Sequence, residues 1–317
     1  MARPAVNGVR AEDRRRWAPY RDATVVVTGG NGFIGRAVSS LLIEAGAEVH
    51  WISRSAGVDT RVRTHRANVA ERDASRRILA QLRPDYVFHL AGRTNADKAY
   101  EHVWPTFDTN VAGTLNVLAG TLEANPACRV VCCASMEELW GTTIGASSPY
   151  GVSKRVASMY VAMFAALYDL AAMSLRPFFV YGPGRQPEGK LLPYVINELA
   201  AGRMPALRSV DRAMDWVYLD DVSRAFLHAG LSGRSPTDDP VDIGSGTLTR
   251  IGDVVRTVAE IMGRPLIEAA PVADGQLREL SPAADTSLAH RTYGWQPLTD
   301  LRSGLEATVE WYLGQRL

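Results

Sequence analysis

A tyrosine and a lysine four residues apart are the side chains in this sequence best suited to acid–base chemistry. Tyr150 and Lys154 stand in the run Tyr150-Gly-Val-Ser-Lys154. This spacing places both side chains on one face of a helix. A neighbouring ammonium group favours the charged form of a phenol and lowers its pKa, so Tyr150 could donate a proton to a substrate oxygen or accept one from it. The pair predicts a catalytic tyrosine supported by Lys154.

A glycine-rich turn upstream of this pair predicts a binding site for a dinucleotide. The run Thr28-Gly-Gly-Asn-Gly-Phe-Ile-Gly35 connects an apolar, β-branched segment, residues 24–28, to a segment with helical periodicity, residues 33–45. Gly29 and Gly32 allow a tight turn and let the backbone approach a pyrophosphate, which would then lie at the N-terminus of the helix. Between a strand and a helix, this turn predicts NAD(P), whose hydride chemistry matches an acid–base tyrosine.

The end of the second predicted strand indicates which form of the cofactor is preferred. A strand that binds NAD usually ends in an acid that contacts the ribose 2′-hydroxyl. Here the strand ends in Trp51-Ile-Ser-Arg54 and carries no acid at that end. Ser53 and Arg54 would suit a 2′-phosphate instead, because a guanidinium supplies both charge and paired donors. The sequence therefore favours NADP over NAD; the alternative is that Arg54 is a solvated surface arginine.

Alternating strands and helices must position these residues. Short apolar runs predict buried parallel strands, and longer segments with a period of 3.6 residues predict helices. The predicted strands are residues 24–28, 48–52, 86–90, 129–135 and 172–176, and the predicted helices are residues 33–45, 72–82, 105–122 and 150–168. This order predicts the α/β class, as a doubly wound parallel sheet of the Rossmann type.

The same pattern predicts two lobes and a leader. Residues 22–181 are predicted to form the NAD(P)-binding Rossmann domain, to which residues 215–245 return. Residues 182–214 and 246–317, with shorter elements and more loops, are predicted to form a smaller C-terminal α/β lobe that binds the substrate. Residues 1–21 contain six arginines and no apolar run, so they predict a flexible basic leader and not a secretory signal.

Composition excludes several classes of protein. The chain has 317 residues and a net charge of +1, which offers no overall field to attract nucleic acid or an anionic membrane. No apolar run reaches the roughly 20 residues needed to cross a bilayer. Of the three cysteines, Cys132 and Cys133 are adjacent and would point to opposite faces of a strand, so we predict no metal site. We expect a cytoplasmic protein with reduced cysteines.

Several further motifs occur in register along the chain. They are Thr28 to Gly35, Val87-Phe-His-Leu-Ala-Gly92, Asn110-Val-Ala-Gly-Thr114, Ser148-Pro-Tyr-Gly-Val-Ser-Lys154, Leu175-Arg-Pro-Phe-Phe-Val-Tyr-Gly-Pro-Gly184, Trp216-Val-Tyr-Leu-Asp-Asp-Val222, Asp285-Thr-Ser-Leu-Ala289 and Tyr293-Gly-Trp-Gln-Pro297. With them the chain resembles an extended short-chain dehydrogenase/reductase of the nucleotide-sugar epimerase/dehydratase family, from about residue 24 to the end. The resemblance implies an NAD(P)-dependent oxidoreductase that acts on a nucleotide-activated sugar, and a homodimer paired through its long helices.

The resemblance also implies roles for single residues. Asn110 would support the active-site helix, and the segment from Phe178 to Pro183 would join the two lobes. The implied cofactor-binding residues are Gly29, Asn31, Gly32, Phe33, Ile34, Ser53, Arg54, Asn68, Val69, Leu90, Ala91, Gly92, Tyr150, Lys154 and Phe178.

The sequence departs from the family beside the catalytic pair. The family's catalytic serine or threonine lies five residues before the glycine that closes the motif after the fifth strand. Counting back from Gly141 gives Met136, whose thioether has no hydrogen-bond donor. Ser135 could take this role if the end of the strand shifts by one residue. Glu137 and Glu138 occupy positions where related dehydratases carry an acid and a base, although we favour a structural role for Glu138.

Two further departures concern the predicted substrate. Phe179 replaces an asparagine, and Met214 an arginine, that commonly bind the diphosphate in this family. Arg212 and Arg278 could each supply a charged fork in their place, and surface solvation is the alternative for both. The predicted substrate-binding residues are therefore Met136, which stands at the catalytic position, Phe179, Arg212 and Arg278.

These observations favour reduction or epimerisation of a nucleotide sugar, by hydride transfer at a carbinol or ketone carbon with Tyr150 as acid and base. Three alternatives remain open. One is a dehydratase that uses Glu137 and Glu138. Another is a ketoreductase of a ketone without a nucleotide. The third is a cofactor sensor without catalysis, which Met136 suggests and the intact Tyr150–Lys154 pair opposes.

Overall fold

The computed structural model describes residues 11–57, 59–139, 148–207, 210–232, 238–264 and 282–315. Its strands, in chain order, are β1 (Thr24–Thr28), β2 (Glu48–Ser53), β3 (Arg63–Arg66), β4 (Tyr86–His89), β5 (Arg129–Cys133), β6 (Ala171–Pro177), β7 (Phe179–Tyr181), β8 (Ala213–Tyr218), β9 (Val241–Ile243) and β10 (Leu248–Arg250). Seven of them form a parallel sheet in the order β3-β2-β1-β4-β5-β6-β9. The predicted doubly wound Rossmann sheet is confirmed, and its strand order reverses between β1 and β4, where sheets of this class bind ligands.

Helices cover both faces of this sheet. The helices of the described residues, in chain order, are α1 (Ala11–Arg16), α2 (Phe33–Glu44), α3 (Arg72–Leu82), α4 (Val103–Thr106), α5 (Gly113–Ala124), α6 (Pro149–Tyr168), α7 (Leu191–Ala200), α8 (Leu219–Gly230), α9 (Ile251–Ile261), α10 (Ser287–Tyr293) and α11 (Leu301–Gly314). Helices α2 and α8 pack together, as do α3 and α5. Successive β1 residues alternate between two cores, with Val25 and Val27 in one and Val26 in the other. Burial of both faces explains why the centre of β1 is a run of three valines.

A second, three-stranded sheet lies outside the main one. Strand β8 pairs parallel to β7 and antiparallel to β10, and helices α7, α9 and α11 pack against one another beside it. The sequence predicts that the whole of residues 215–245 returns to the main sheet. Only its later part does so, because α8 packs on α2 and β9 pairs with β6, whereas β8 belongs to the small sheet.

The end of the predicted leader is folded. Residues 11–21 contain α1 and a 3₁₀ turn, Ala18–Tyr20, and the side chains of Trp17 and Tyr20 are fully buried. Asp13 is also buried, where it accepts from the Arg224 guanidinium at 2.5 Å. The prediction of flexibility is therefore wrong for this part of the leader, because two aromatic rings bury their surface in the core.

The described residues contain no helix that is both long enough and apolar enough to span a bilayer. Within the same residues, no group of three or more histidine, cysteine, aspartate or glutamate side chains could hold a metal ion.

Candidate active site

The glycine-rich turn lies between β1 and α2, at the carboxyl edge of the main sheet. Gly29 has a φ of +67°, and a Cβ there would lie 2.7 Å from the Ala91 nitrogen, so only glycine fits. Gly32 donates its N–H to the Gly29 carbonyl at 2.9 Å and precedes α2 without a side-chain cap. The first N–H groups of α2, a 12-residue helix, are thus not covered by a capping side chain. Free N–H groups at the N-terminus of a helix attract negative charge, and the close-lying turn leaves room for a pyrophosphate.

The other predicted residues of the turn extend it on either side. Phe33 and Ile34 form the first turn of α2 and are half-buried, and the Phe33 ring lies against Gly184 after β7. The Asn31 side chain donates to the Ser55 hydroxyl at 3.0 Å, which ties the turn to the segment after β2. The turn therefore contacts both the main sheet and the start of the second lobe.

The end of β2 places Ser53 and Arg54 beside the same turn. Arg54 is exposed, and its carbonyl accepts from the Arg66 guanidinium at 3.2 Å. Arg36, one turn into α2, donates to the Asn31 side chain at 2.6 Å. Arg36, Arg54 and Arg66 thus lie close to the end of β2, where the ribose of a dinucleotide is expected. Of these three arginines, only Arg54 was identified from the sequence. Arg36 could have been identified as well, because it directly follows Gly35, the last glycine of the glycine-rich run.

Asn68 and Val69 follow β3 in the same region. The Ala67 N–H donates to the Ser53 carbonyl at 3.0 Å, so this segment runs beside the end of β2. Val69 is buried, and its carbonyl accepts from Asn116 at 2.9 Å. The structure thus brings Asn68 to the end of β2, whereas Val69 packs against α5.

Leu90, Ala91 and Gly92 connect the turn to the predicted catalytic pair. Ala91 donates its N–H to the Thr28 hydroxyl at 3.1 Å. A Cβ at Gly92 would lie 3.3 Å from Lys154 Nζ. These residues therefore run from the glycine-rich turn to Lys154, which is the course expected of a segment that lines a cofactor.

Tyr150 lies in the first turn of α6, and its side chain is buried. Ser148 caps this helix by accepting from the Gly151 N–H at 3.1 Å. The Ser135 side chain lies close enough to the Tyr150 phenol to act on its pKa by hydrogen bonding, so Ser135, and not Met136, is the hydroxyl residue beside the phenol. Met136 is buried among core side chains, which explains why a thioether is tolerated at this position.

The electrostatics of Tyr150 differ from the prediction. Burial raises the pKa of Tyr150 well above its ordinary value, and the hydrogen bond with Ser135 only partly offsets this. The Lys154 ammonium donates to the Cys133 carbonyl at 2.6 Å. The sequence predicts that Lys154 lowers the pKa of the Tyr150 phenol; the direction found is the opposite, because desolvation of the buried ring is the largest effect on this pKa.

The two glutamates of the predicted dehydratase pair have different surroundings. Glu138 is buried, accepts from the Ser135 N–H and the Ser158 hydroxyl, both at 3.1 Å, and lies 3.8 Å from Arg176. Burial raises its pKa, which Arg176 partly offsets. Glu137 is half-buried and accepts from Ser148 at 3.3 Å. These contacts favour the structural role for Glu138.

Asn110 lies in a π-helix, Phe107–Ala112, which interrupts the helix predicted over residues 105–122. The Arg93 N–H donates to its Oδ1 at 2.7 Å, and its Nδ2 donates to the Ser153 hydroxyl at 2.8 Å. Ser153 is the neighbour of Lys154, so Asn110 contacts the active-site helix as the resemblance implied.

The remaining predicted residues lie towards the second lobe. Phe178 is buried between β6 and β7, and Phe179 packs edge-on against Trp216 with ring centroids 4.6 Å apart. Met214 is buried in β8, and Arg212 is half-buried just before it. Arg278 lies outside the described residues. Phe179 and Met214 are thus apolar side chains at the two positions where the family commonly carries a polar residue that binds the diphosphate.

Comparison with known proteins agrees with this arrangement. The model of the NAD-dependent epimerase/dehydratase family matches residues 25–244. A UDP-glucose 4-epimerase of Mycolicibacterium smegmatis is 28% identical and covers 90% of this chain and 97% of that protein. A dTDP-glucose 4,6-dehydratase of Neisseria meningitidis serogroup B is 27% identical over 92% of this chain and 94% of its own.

Solved structures extend the comparison to the fold. The crystal structure of a UDP-glucose 4-epimerase from Thermotoga maritima, with UDP-glucose, superposes with a TM-score of 0.82 at 26% identity and covers 93% of this chain and 100% of the other. The resemblance drawn from the motifs is confirmed. The chain is an enzyme that belongs to the NAD-dependent epimerase/dehydratase family.

Proposed function

We propose that the chain transfers hydride between a nicotinamide dinucleotide and a carbinol or ketone carbon of a nucleotide sugar, by reduction or epimerisation. The position of the buried Tyr150 and of Lys154 on one face of α6 carries this proposal, because Lys154 lies against Gly92 on the segment that leads from the glycine-rich turn. The similar proteins include a UDP-glucose 4-epimerase and a dTDP-glucose 4,6-dehydratase, whose names state nucleotide-sugar substrates.

Tyr150 would move the proton that accompanies hydride transfer. When bound, the dinucleotide supplies the donor and acceptor of the hydride. Tyr150 donates its proton to the substrate oxygen as a ketone is reduced, and accepts a hydroxyl proton in the opposite direction. Ser135 orients the phenol, and burial excludes water. Burial raises the pKa of Tyr150, so the phenol is in its neutral form, with a proton to donate, before reduction.

The residues that would hold the dinucleotide follow the edge of the sheet. Gly29, Gly32 and the start of α2 would bind its pyrophosphate, and Gly92 and Lys154 would face its reactive end. We further propose that NADP is preferred over NAD. Arg36, Arg54 and Arg66 support this preference, because together they offer a 2′-phosphate several guanidinium donors.

A reductase of a ketone without a nucleotide is the second candidate. The apolar contact of Phe179 with Trp216 and the buried Met214 favour it, because neither side chain can bind a diphosphate. The dehydratase alternative ranks below both, since Glu138 is engaged by Ser158 and Arg176.

We also propose that the chain acts as a homodimer in the cytoplasm. The cytoplasmic location is supported by three free cysteines, all buried or half-buried. The dimer is supported by apolar side chains exposed on α6, namely Val152, Met159 and Leu167, whose spacing of seven and eight places them on one helical face.

The absorbance of NADPH, followed with keto sugars and test ketones, measures the proposed reaction directly. We expect NADPH consumption with a 4-keto-6-deoxy sugar attached to UDP or dTDP. Conversion between UDP-glucose and UDP-galactose without net consumption would indicate epimerisation. Consumption only with ketones that lack a nucleotide would favour the second candidate, and formation of a 4-keto-6-deoxy sugar from dTDP-glucose would favour the dehydratase.

Replacement of Tyr150 by phenylalanine tests the role of the phenol. Tyr150→Phe should lower kcat by roughly 10²-fold or more, because a general acid contributes about 10² to 10⁴, while the dissociation constant of the cofactor changes little. Tyr168→Phe, at the exposed end of the same helix, is the matched control and should retain its activity. A Tyr150→Phe enzyme as active as this control would remove the phenol from the mechanism.

A further inference from the structure

A buried histidine, His89, lies between the dinucleotide turn and the helix that carries Asn110. It is the last residue of β4, and its ring is almost fully inaccessible. Its Nδ1 lies 2.7 Å from the Thr28 hydroxyl at the end of β1, and its Nε2 lies 3.0 Å from the Thr114 hydroxyl on α5. The proposed mechanism makes no use of this ring.

The partners of the two hydroxyls determine which ring nitrogen carries the proton. Thr114 donates its hydroxyl proton to the Asn110 carbonyl at 2.6 Å, and a carbonyl can only accept. The Thr114 oxygen is therefore left as the acceptor for His89, so Nε2 must carry a proton. In a neutral ring Nδ1 is then an acceptor, and it receives the proton of the Thr28 hydroxyl.

The chain of donors continues at both ends. The Thr28 oxygen accepts the Ala91 N–H at 3.1 Å, on the segment expected to line the cofactor. At the other end, Asn110 donates to the Ser153 hydroxyl, which donates to the Tyr150 carbonyl at 2.8 Å. Every hydrogen bond runs in one direction from Ala91 through His89 to Asn110. Only the neutral ring with its proton on Nε2 satisfies all of them.

Burial keeps the ring in this neutral form. Desolvation, with a smaller contribution from the nearby Lys154 ammonium, lowers the pKa of His89 to about 3. A protonated ring would present two donors, and Thr28 would lose its acceptor. The hydrogen bonds by which His89 joins Thr28 on β1 to Thr114 on α5 are therefore maintained throughout the neutral pH range.

From this geometry we infer that His89 is a positioning residue, which holds the cofactor-binding turn in register with the helix segment that supports Tyr150 and Lys154. It touches neither substrate nor reacting atoms. Its effect passes through Thr28 and Ala91 on one side and through Thr114 and Asn110 on the other.

A change at Thr114 tests this coupling, because Thr114 lies at the far end of the chain from the dinucleotide turn. Thr114→Val leaves the His89 Nε2–H without its acceptor while keeping the shape of the side chain. We expect the dissociation constant of NADP or NAD, whichever binds the wild type more tightly, to rise by roughly tenfold in calorimetry, in line with the loss of a buried hydrogen bond. Thr114→Ser, which restores the hydroxyl, should bind within about twofold of the wild type.

Thr121→Val provides the matched control. Thr121 is also fully buried on α5, and its hydroxyl has no hydrogen-bond partner among the described residues. This variant should bind cofactor as the wild type does. If Thr114→Val loses thermal stability but binds cofactor as tightly as Thr121→Val, the chain only stabilises the fold and the inference is wrong.

Nitrogen-15 spectra of histidine-labelled wild-type protein provide a second measurement that needs no folded variant of Thr114. The His89 signal, assigned by its absence in His89→Gln, should correspond to a neutral ring with its proton on Nε2 at neutral pH. A proton on Nδ1, or a charged ring, would overturn the inference. Because both measurements use the cofactor or the free protein, they give an answer even if the proposed sugar substrates are not turned over.

Discussion

At the scale of single residues, Ser135 shows how one position of register decides the chemistry of the site. Counting along the chain places Met136 where a hydroxyl is expected, yet the side chain that acts on the Tyr150 phenol is that of Ser135. Strand β5 ends at Cys133, and a 3₁₀ helix begins at Met136. The chain therefore turns before Met136, the residue that counting along the motif identifies as the catalytic position, and the Met136 side chain packs into the core.

Loss of the Ser135 hydroxyl should affect both rate and pH dependence. Ser135→Ala is expected to lower kcat by roughly tenfold, the effect of one lost hydrogen bond. Since this hydrogen bond lowers the Tyr150 pKa against the effect of burial, its loss should raise that pKa. Oxidation, which needs the phenolate, should then require a higher pH. Met136→Leu, which conserves volume, should change kcat by less than about threefold. Equal kcat and pH profiles for the two variants would contradict this assignment.

The exposed Arg54 should discriminate between the two cofactors. Arg54→Ala is expected to raise the dissociation constant of NADP by roughly tenfold or more, because a charge-assisted hydrogen bond to phosphate is lost. The dissociation constant of NAD should stay within about twofold, since NAD carries no 2′-phosphate. Arg61→Ala removes a nearby arginine already paired with Asp59 at 2.7 Å and is the control. Equal losses for both cofactors in Arg54→Ala would mean that Arg54 does not contact the phosphate.

At the scale of the elements, apolar periodicity was sufficient to predict those whose buried faces produce a regular apolar pattern. Strand β1 and helix α3 lie where the sequence predicts them, because both faces of β1 and one face of α3 are buried. Strand β3 escapes prediction because its four residues are charged or polar and it forms the edge of the sheet. The π-helix at Asn110 escapes it too, because an extra residue in one turn leaves the apolar pattern almost unchanged.

The candidate site was predictable to a similar extent. Glycines and the Tyr150–Lys154 spacing report local geometry, so the sequence locates the turn and the catalytic helix. The tautomer of His89 and the hydrogen bond from Asn110 to Ser153 depend on residues distant in sequence. Such contacts are set by strand order and helix packing, which no local pattern contains.

The segment before β1 is expected to act as a structural element. Trp17 packs edge-on against His228, and the Tyr20 hydroxyl donates to the Leu227 carbonyl at 2.6 Å; both partners are on α8. Trp17→Ala should lower the free energy of unfolding by about 3 kcal/mol, as for other buried aromatic truncations. Urea denaturation measures this change, and Arg15→Ala, an exposed position on α1, is the control. A loss no larger than that of the control would show that the segment does not stabilise the domain.

At the scale of the whole molecule, one surface is unusually apolar for a protein that works alone. Tyr100, Trp104 and Phe107 are exposed at the start of the segment that leads into α5, and Met159 and Leu167 are exposed on α6. The two regions are neighbours, since the π-helix packs on α6. Exposed apolar patches of this kind mark interaction surfaces, and a patch on one face of paired helices suits a two-fold contact between copies of the chain.

A charge placed in this patch should separate the two copies. Met159→Glu puts a carboxylate, and by symmetry a second one, into an apolar interface, where desolvation opposes association. We expect light scattering after gel filtration to give the mass of a dimer for the wild type and of a monomer for Met159→Glu. Leu248→Glu, at an exposed apolar position on β10, should leave the dimer intact. A monomeric wild type, or a Met159→Glu protein that remains dimeric, would exclude this face as the interface. If the Met159→Glu monomer binds cofactor, each copy of the chain holds a complete dinucleotide site.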